Sequence, residues 1–230
     1  MIWRMDASLA VDASVSAALP AKVKPLLRGV SHQVGFFVAL VAGTLLVRSA
    51  KSPLAAWTGA VYALSLAGLL GTSALYHRPT WSVSARALMR RCDHAAIYLL
   101  IAGTGTPVIS LALPGKASHL PLVVVWSGAA LGILKSLVWP KAPKALEAVL
   151  CIALGWTVVP FLPAMRALLS TTDVALLIAG GVAYSLGAMA YALRRPDPIP
   201  HVFGYHEIFH ACVLGAAACH FALVWSLVVG

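Results

Sequence analysis

Runs of apolar residues with little or no charge dominate this chain. Seven of them are close to the ~20 residues that a helix needs to cross a hydrocarbon layer of ~30 Å. They lie at about Val30 to Val47, Leu54 to Tyr76, Ala95 to Leu113, Leu120 to Trp139, Ala145 to Met165, Val174 to Leu193 and Ala211 to Val229. The pattern predicts an all-α fold, a polytopic bundle of seven transmembrane helices. Interior blemishes are few. Lys135 and Glu147 sit near span ends, where long side chains snorkel to the interface. Pro107, Pro160 and Pro163 are expected to kink the third and fifth spans. The first 21 residues carry two aspartates and no continuous apolar core, so they are not expected to form a secretory signal peptide. Residues 1–23 are therefore read as a mobile tail and 24–230 as one seven-helix domain.

Composition agrees. The chain of 230 residues is 60% hydrophobic and 10% charged, less than half the roughly 25% typical of soluble domains. Its formal net charge of +10 does not form a stripe on one face, which excludes a nucleic-acid partner. The cations instead partition across the spans. Thirteen Lys and Arg, among them Arg28, Arg78, Arg86, Arg90, Arg91, Lys135 and Lys144, fall on one side, and Arg48, Lys51, Lys116 and Arg166 on the other. By the positive-inside rule the N-terminus is cytoplasmic, the C-terminus outside, and the location the cell's inner (plasma) membrane.

The four cysteines form no CxxC pair and read as small apolar packers, with Cys92 a marginal ligand candidate. The eight histidines separate by position. His119 and His201 lie in loops, His94 is expected to point elsewhere on its helix, and His32 opens the first span as an interfacial or supporting residue. His220 lies ten residues deeper than His210, about 15 Å along a helix, where a buried hydrogen bond is expected.

The remaining group consists of His77, which ends the second span in SALYH, Asp93, which enters the third in RCDHAAIY, and His206 and His210, which open the seventh in HEIFH. Alternation of the spans brings all four to one membrane face. An i, i+4 spacing puts His206 and His210 on one side of a helix, about 6 Å apart along it, close enough to share a metal ion. His77 completes three nitrogen ligands and leaves a fourth position open, the layout of a catalytic zinc site. Asp93 either ligates directly or supports the site from outside the ligand set. HEIFH also fits the HExxH signature of zinc metalloproteases, in which Glu207 would be the general base; such enzymes take a third ligand from an extra motif downstream, whereas 20 residues follow His210 here.

Taken together, SALYH, the aspartate sixteen residues later ahead of AAIYLLIAGTGTP, HEIFHACVLGAAACHF and KPLLRGVSHQVGFF resemble the hemolysin III branch of the progestin and adipoQ receptor family, a group related to alkaline ceramidases. The resemblance runs from about Lys24 to the C-terminus. It implies zinc ligation by His77, His206 and His210, with Asp93 and Ser73 beside the water at the metal. These residues suit hydrolysis of a lipid amide or ester, with Asp93 as proton acceptor and Ser73 as hydrogen-bond donor. The expected partners are membrane lipids, as substrate or ligand, at the cytoplasmic leaflet; the sequence specifies no oligomeric state. The alternatives are a receptor or regulator of membrane composition with structural zinc, and a cytolysin. A pore is disfavoured because no polar stripe or ring of charges runs through the spans.

Overall fold

The computed structural model describes residues 25–113, 115–199 and 201–230. The expected tail, including Arg4, Lys22 and Lys24, lies outside them. The helices are α1 (Val30–Arg48), α2 (Pro53–His77), α3 (Val83–Ala112), α4 (His119–Val138), α5 (Lys144–Gly155), α6 (Leu162–Met165), α7 (Thr171–Leu193) and α8 (Tyr205–Val229). A 3-10 segment, Trp156–Phe161, joins α5 to α6, so that Lys144–Met165 is one span broken in the middle. Among the described residues seven spans result, each long and apolar enough to cross a membrane.

Local chemistry sets several helix starts. Ser52 accepts the Ala55 N–H ahead of Pro53 in the first turn of α2. Ser82 does the same for Ala85 at α3, and Ser170 with Asp173 forms a capping box at α7. The α3 helix differs from expectation. It starts twelve residues before Ala95, because the Ser82 cap nucleates a helix through the charged stretch that the hydropathy pattern leaves in a connection. At 30 residues it is about 45 Å long and outreaches the hydrocarbon layer. Pro160, read as a kink, sits inside the 3-10 break.

The helices pack in sequence order around α3. It touches α2, α4, α5 and α8, while α1 closes the ring against α8. Two backbone bonds tie the ends of the ring: Leu26 N–H donates to the His201 carbonyl (3.0 Å), and Lys51 N–H donates to the Val228 carbonyl (3.0 Å). Tyr62, Leu70, Tyr98, Ile109, Leu223 and Val224 are almost completely buried between the helices. Small residues let the helices approach: Gly103 faces Ser65, Gly132 lies on the Tyr98 ring and Gly180 on the His220 ring. Outward, Phe37, Val38, Trp57, Leu64, Leu120 and Leu131 stand exposed, a surface suited to lipid and not to water. The chain is a multi-pass membrane protein.

Candidate metal centre and cavity

His77 is the last residue of α2, and His206 and His210 are the second and sixth residues of α8. One ring nitrogen from each lies within 4.8 Å of the other two. His206 Nε2 and His77 Nε2 are 3.1 Å apart. The ring centroids are separated by 4.7 Å for His77 and His206, 5.1 Å for His77 and His210, and 4.6 Å for His206 and His210. A tetrahedral zinc with Zn–N of ~2.0–2.1 Å needs nitrogen–nitrogen edges of about 3.3 Å, so three converging imidazoles fit such an ion with small adjustments. His77 and His210 are buried.

Three neighbours hold the cluster in place. His32, only 2% exposed, stacks on His210 with centroids 3.8 Å apart and planes within 8°. Gly29, just ahead of α1, has φ of 78° and packs so closely that a Cβ there would lie 2.6 Å from Cβ of His77. Glu207 accepts the Gly204 N–H (2.9 Å) and forms an ion pair with Arg28, locking the first turn of α8 to the chain before α1. The Glu207 carboxylate, the general base of the HExxH reading, is engaged here as a helix cap and a counter-ion.

Asp93 is buried on α3, and its carboxyl interacts with the Ser73 side chain, one turn before His77. It stands outside the trio of converging nitrogens. Cys92 is likewise outside the cluster. The snorkelling expected of Lys135 and Glu147 is also corrected. Glu147 is 6% exposed and forms an ion pair with Lys135, because at this depth each charge finds a better partner in the other than in the interface. His94 is directed toward this pair, its Nδ1 3.9 Å from a Glu147 oxygen. His220 takes the expected buried hydrogen bond, its Nε2 3.2 Å from the Leu177 carbonyl oxygen. No sequence signal marks Arg28 and Glu207, or Lys135 and Glu147, as partners, because pairing across helices has no periodicity to read.

The His cluster and Asp93 line one cavity of about 690 Å³. Arg86, Arg90 and Lys144 lie at one end of it, and Val108, Leu177 and His220 deep in the bundle at the other. Lys144 Nζ sits over the rings of Tyr191 (4.0 Å) and Tyr205 (4.9 Å).

Known proteins resemble the chain along most of its length. Residues 21–221 match the family described as Haemolysin-III related. The Hemolysin-3 homolog of Bacillus subtilis (strain 168) is 31% identical over 198 residues, covering 85% of this chain and 90% of the relative. Hemolysin-3 of Bacillus cereus is 30% identical over 200 residues, covering 85% and 87%. The human Monocyte to macrophage differentiation factor is 27% identical over 201 residues, covering 85% and 81%. With a family match of this extent, and with seven apolar helices gathered round a histidine cluster, the chain belongs to the haemolysin-III related family.

Proposed function

We propose that the protein is a zinc-dependent hydrolase of membrane lipids that cleaves an amide or ester at the cytoplasmic leaflet and serves membrane lipid homeostasis. The observation that carries this reading is the buried His77, His206 and His210 trio on the wall of a membrane-embedded cavity that also contains the Asp93 carboxyl. These three histidines would hold the metal. When bound, zinc supplies Lewis acidity toward a carbonyl oxygen and lowers the pKa of water.

The chain's own groups account for the rest of the chemistry. The Asp93 carboxylate accepts the proton of the attacking water and returns it to the leaving amine or alkoxide. Ser73, beside Asp93, donates a hydrogen bond that orients water or steadies the developing oxyanion. His32, stacked flat on His210, fixes the angle of that ring. The apolar depth of the cavity receives the hydrophobic part of a lipid and excludes bulk water. The preponderance of Lys and Arg at the end where α2 finishes and α8 begins supports its cytoplasmic placement.

The test is turnover of a panel of long-chain amides and esters in proteoliposomes by zinc-loaded protein. The reading predicts release of fatty acid that is abolished in Asp93→Ala while zinc content is unchanged. A wild-type protein that holds zinc yet releases nothing from either class, and that loses only stability when a histidine is removed, would instead favour a regulator with structural metal.

A further inference from the structure

One face of α3 serves both the reactive end and the outer end of the cavity. Arg86, Arg90, Asp93, Ile97, Ile101 and Val108 all line it, and their spacing of three, four and seven residues keeps them on one side of the helix. The order along that face is two guanidinium groups, the carboxyl, then apolar side chains. Arg90 lies about 4.5 Å and Arg86 about 10 Å from Asp93 along the axis. Because α3 outreaches the hydrocarbon layer by about 15 Å and its apolar part starts at Ala95, both arginines fall at headgroup depth.

Among the described residues neither arginine has an ion-pair partner. The ion pairs among the described residues join Arg28 to Glu207, Lys135 to Glu147 and His94 to Glu147. The Arg86 guanidinium rests 5.5 Å above the Tyr76 ring, which positions it without cancelling its charge. Topology alone accounts for basic residues in this connection, but not for their sorting. Arg86 and Arg90 line the cavity whereas Arg91, the next residue, does not, and Arg78 hydrogen-bonds Gln33 (3.1 Å).

We infer that Arg86 and Arg90 form a headgroup subsite for a phosphate-bearing anionic lipid, so that the substrate is an anionic phospholipid rather than a neutral amide. Guanidinium groups bind phosphate through paired, charge-assisted hydrogen bonds. In such a lipid the phosphate is a few bonds from the ester carbonyls, which matches the short rise from Arg90 to Asp93. The inference rests on the hydrolase reading for what happens at Asp93, but the subsite is defined by binding alone.

The experiment uses full-length protein in detergent and native mass spectrometry with dioleoylphosphatidylglycerol, dioleoylglycerol and inorganic phosphate as probes. The two lipids share acyl chains and differ in the phosphate headgroup. Wild type is expected to retain the phospholipid about tenfold or more over the diacylglycerol, as one charge-assisted contact already implies. In Arg86→Gln/Arg90→Gln the preference collapses, in Arg91→Gln it persists, and inorganic phosphate does not displace the lipid. Thermal unfolding and metal content matching wild type establish that the double variant is folded. Equal retention of both lipids, an equal loss in Arg91→Gln, or displacement by phosphate alone overturns the inference. A phospholipid preference that survives in protein showing no hydrolysis of any lipid sustains the subsite and counts against the hydrolase reading only. Efficient hydrolysis of neutral amides that is unchanged in the double variant does the reverse.

Discussion

The Lys135–Glu147 pair links the last turn of α4 to the first turn of α5, with side chains 15% and 8% exposed. Lys135→Met removes the cation and leaves a buried carboxylate whose Oε1 has no hydrogen-bond partner among the described residues and whose other ion-pair neighbour among them is His94 at 3.9 Å. Breaking one side of a buried pair costs ~3–5 kcal/mol, and proximity to the membrane surface puts this site at the lower end, about 3 kcal/mol. Replacing both residues with apolar ones of similar size, as in Lys135→Met/Glu147→Leu, removes the uncompensated charge and returns stability to within about 1 kcal/mol of wild type. The double-mutant cycle therefore yields a coupling of about 2 kcal/mol or more. Reversible unfolding in mixed detergent–SDS micelles, followed by circular dichroism, measures all four proteins. Additive losses in the double variant would refute the pairing, as would a Lys135→Met cost under about 0.5 kcal/mol.

Three further perturbations test the supports of the histidine cluster. Gly29→Val adds a Cβ that meets His77 and a β-branched side chain at φ of 78°, and is expected to lower metal content and destabilise the fold by about 1–3 kcal/mol, read by elemental analysis and unfolding. Glu207→Gln removes the anion that pairs with Arg28 and is expected to cost about 1–3 kcal/mol while leaving stoichiometric metal and lipid turnover intact; abolished turnover would revive the metalloprotease assignment. His32→Ala removes the ring stacked on His210, and metal affinity measured by chelator competition is expected to fall about 10-fold or more, as for other residues that orient a ligand.

The spans were legible because lipid leaves a helix few ways to carry charge, so charge-poor runs mark them directly. Their ends were less so. The charged residues Arg86, Arg90 and Arg91 made the start of α3 look like a connection, although the Ser82 cap makes it helical. The convergence of His77, His206 and His210 was legible from two arithmetic facts, the i, i+4 spacing and the parity of the spans. Their neighbours were not. Stacking of His32 on His210, the grip of Gly29 on His77 and the engagement of Glu207 by Arg28 depend on how α1 meets α2 and α8, which hydropathy does not encode. The same holds for Lys135 and Glu147, whose positions near span ends suggest snorkelling until the packing of α4 against α5 makes them partners.

The central claim is that three histidines from α2 and α8 hold one metal ion beside a carboxyl that does not ligate it. Metal content by mass spectrometry of the detergent-purified protein tests it most directly, with wild type compared with His77→Ala, His206→Ala, His210→Ala and Asp93→Ala. Near-stoichiometric zinc in wild type and in Asp93→Ala, lost in each histidine variant, is the predicted result. Well-folded wild-type protein without metal, or zinc that survives removal of any of the three histidines, would contradict it.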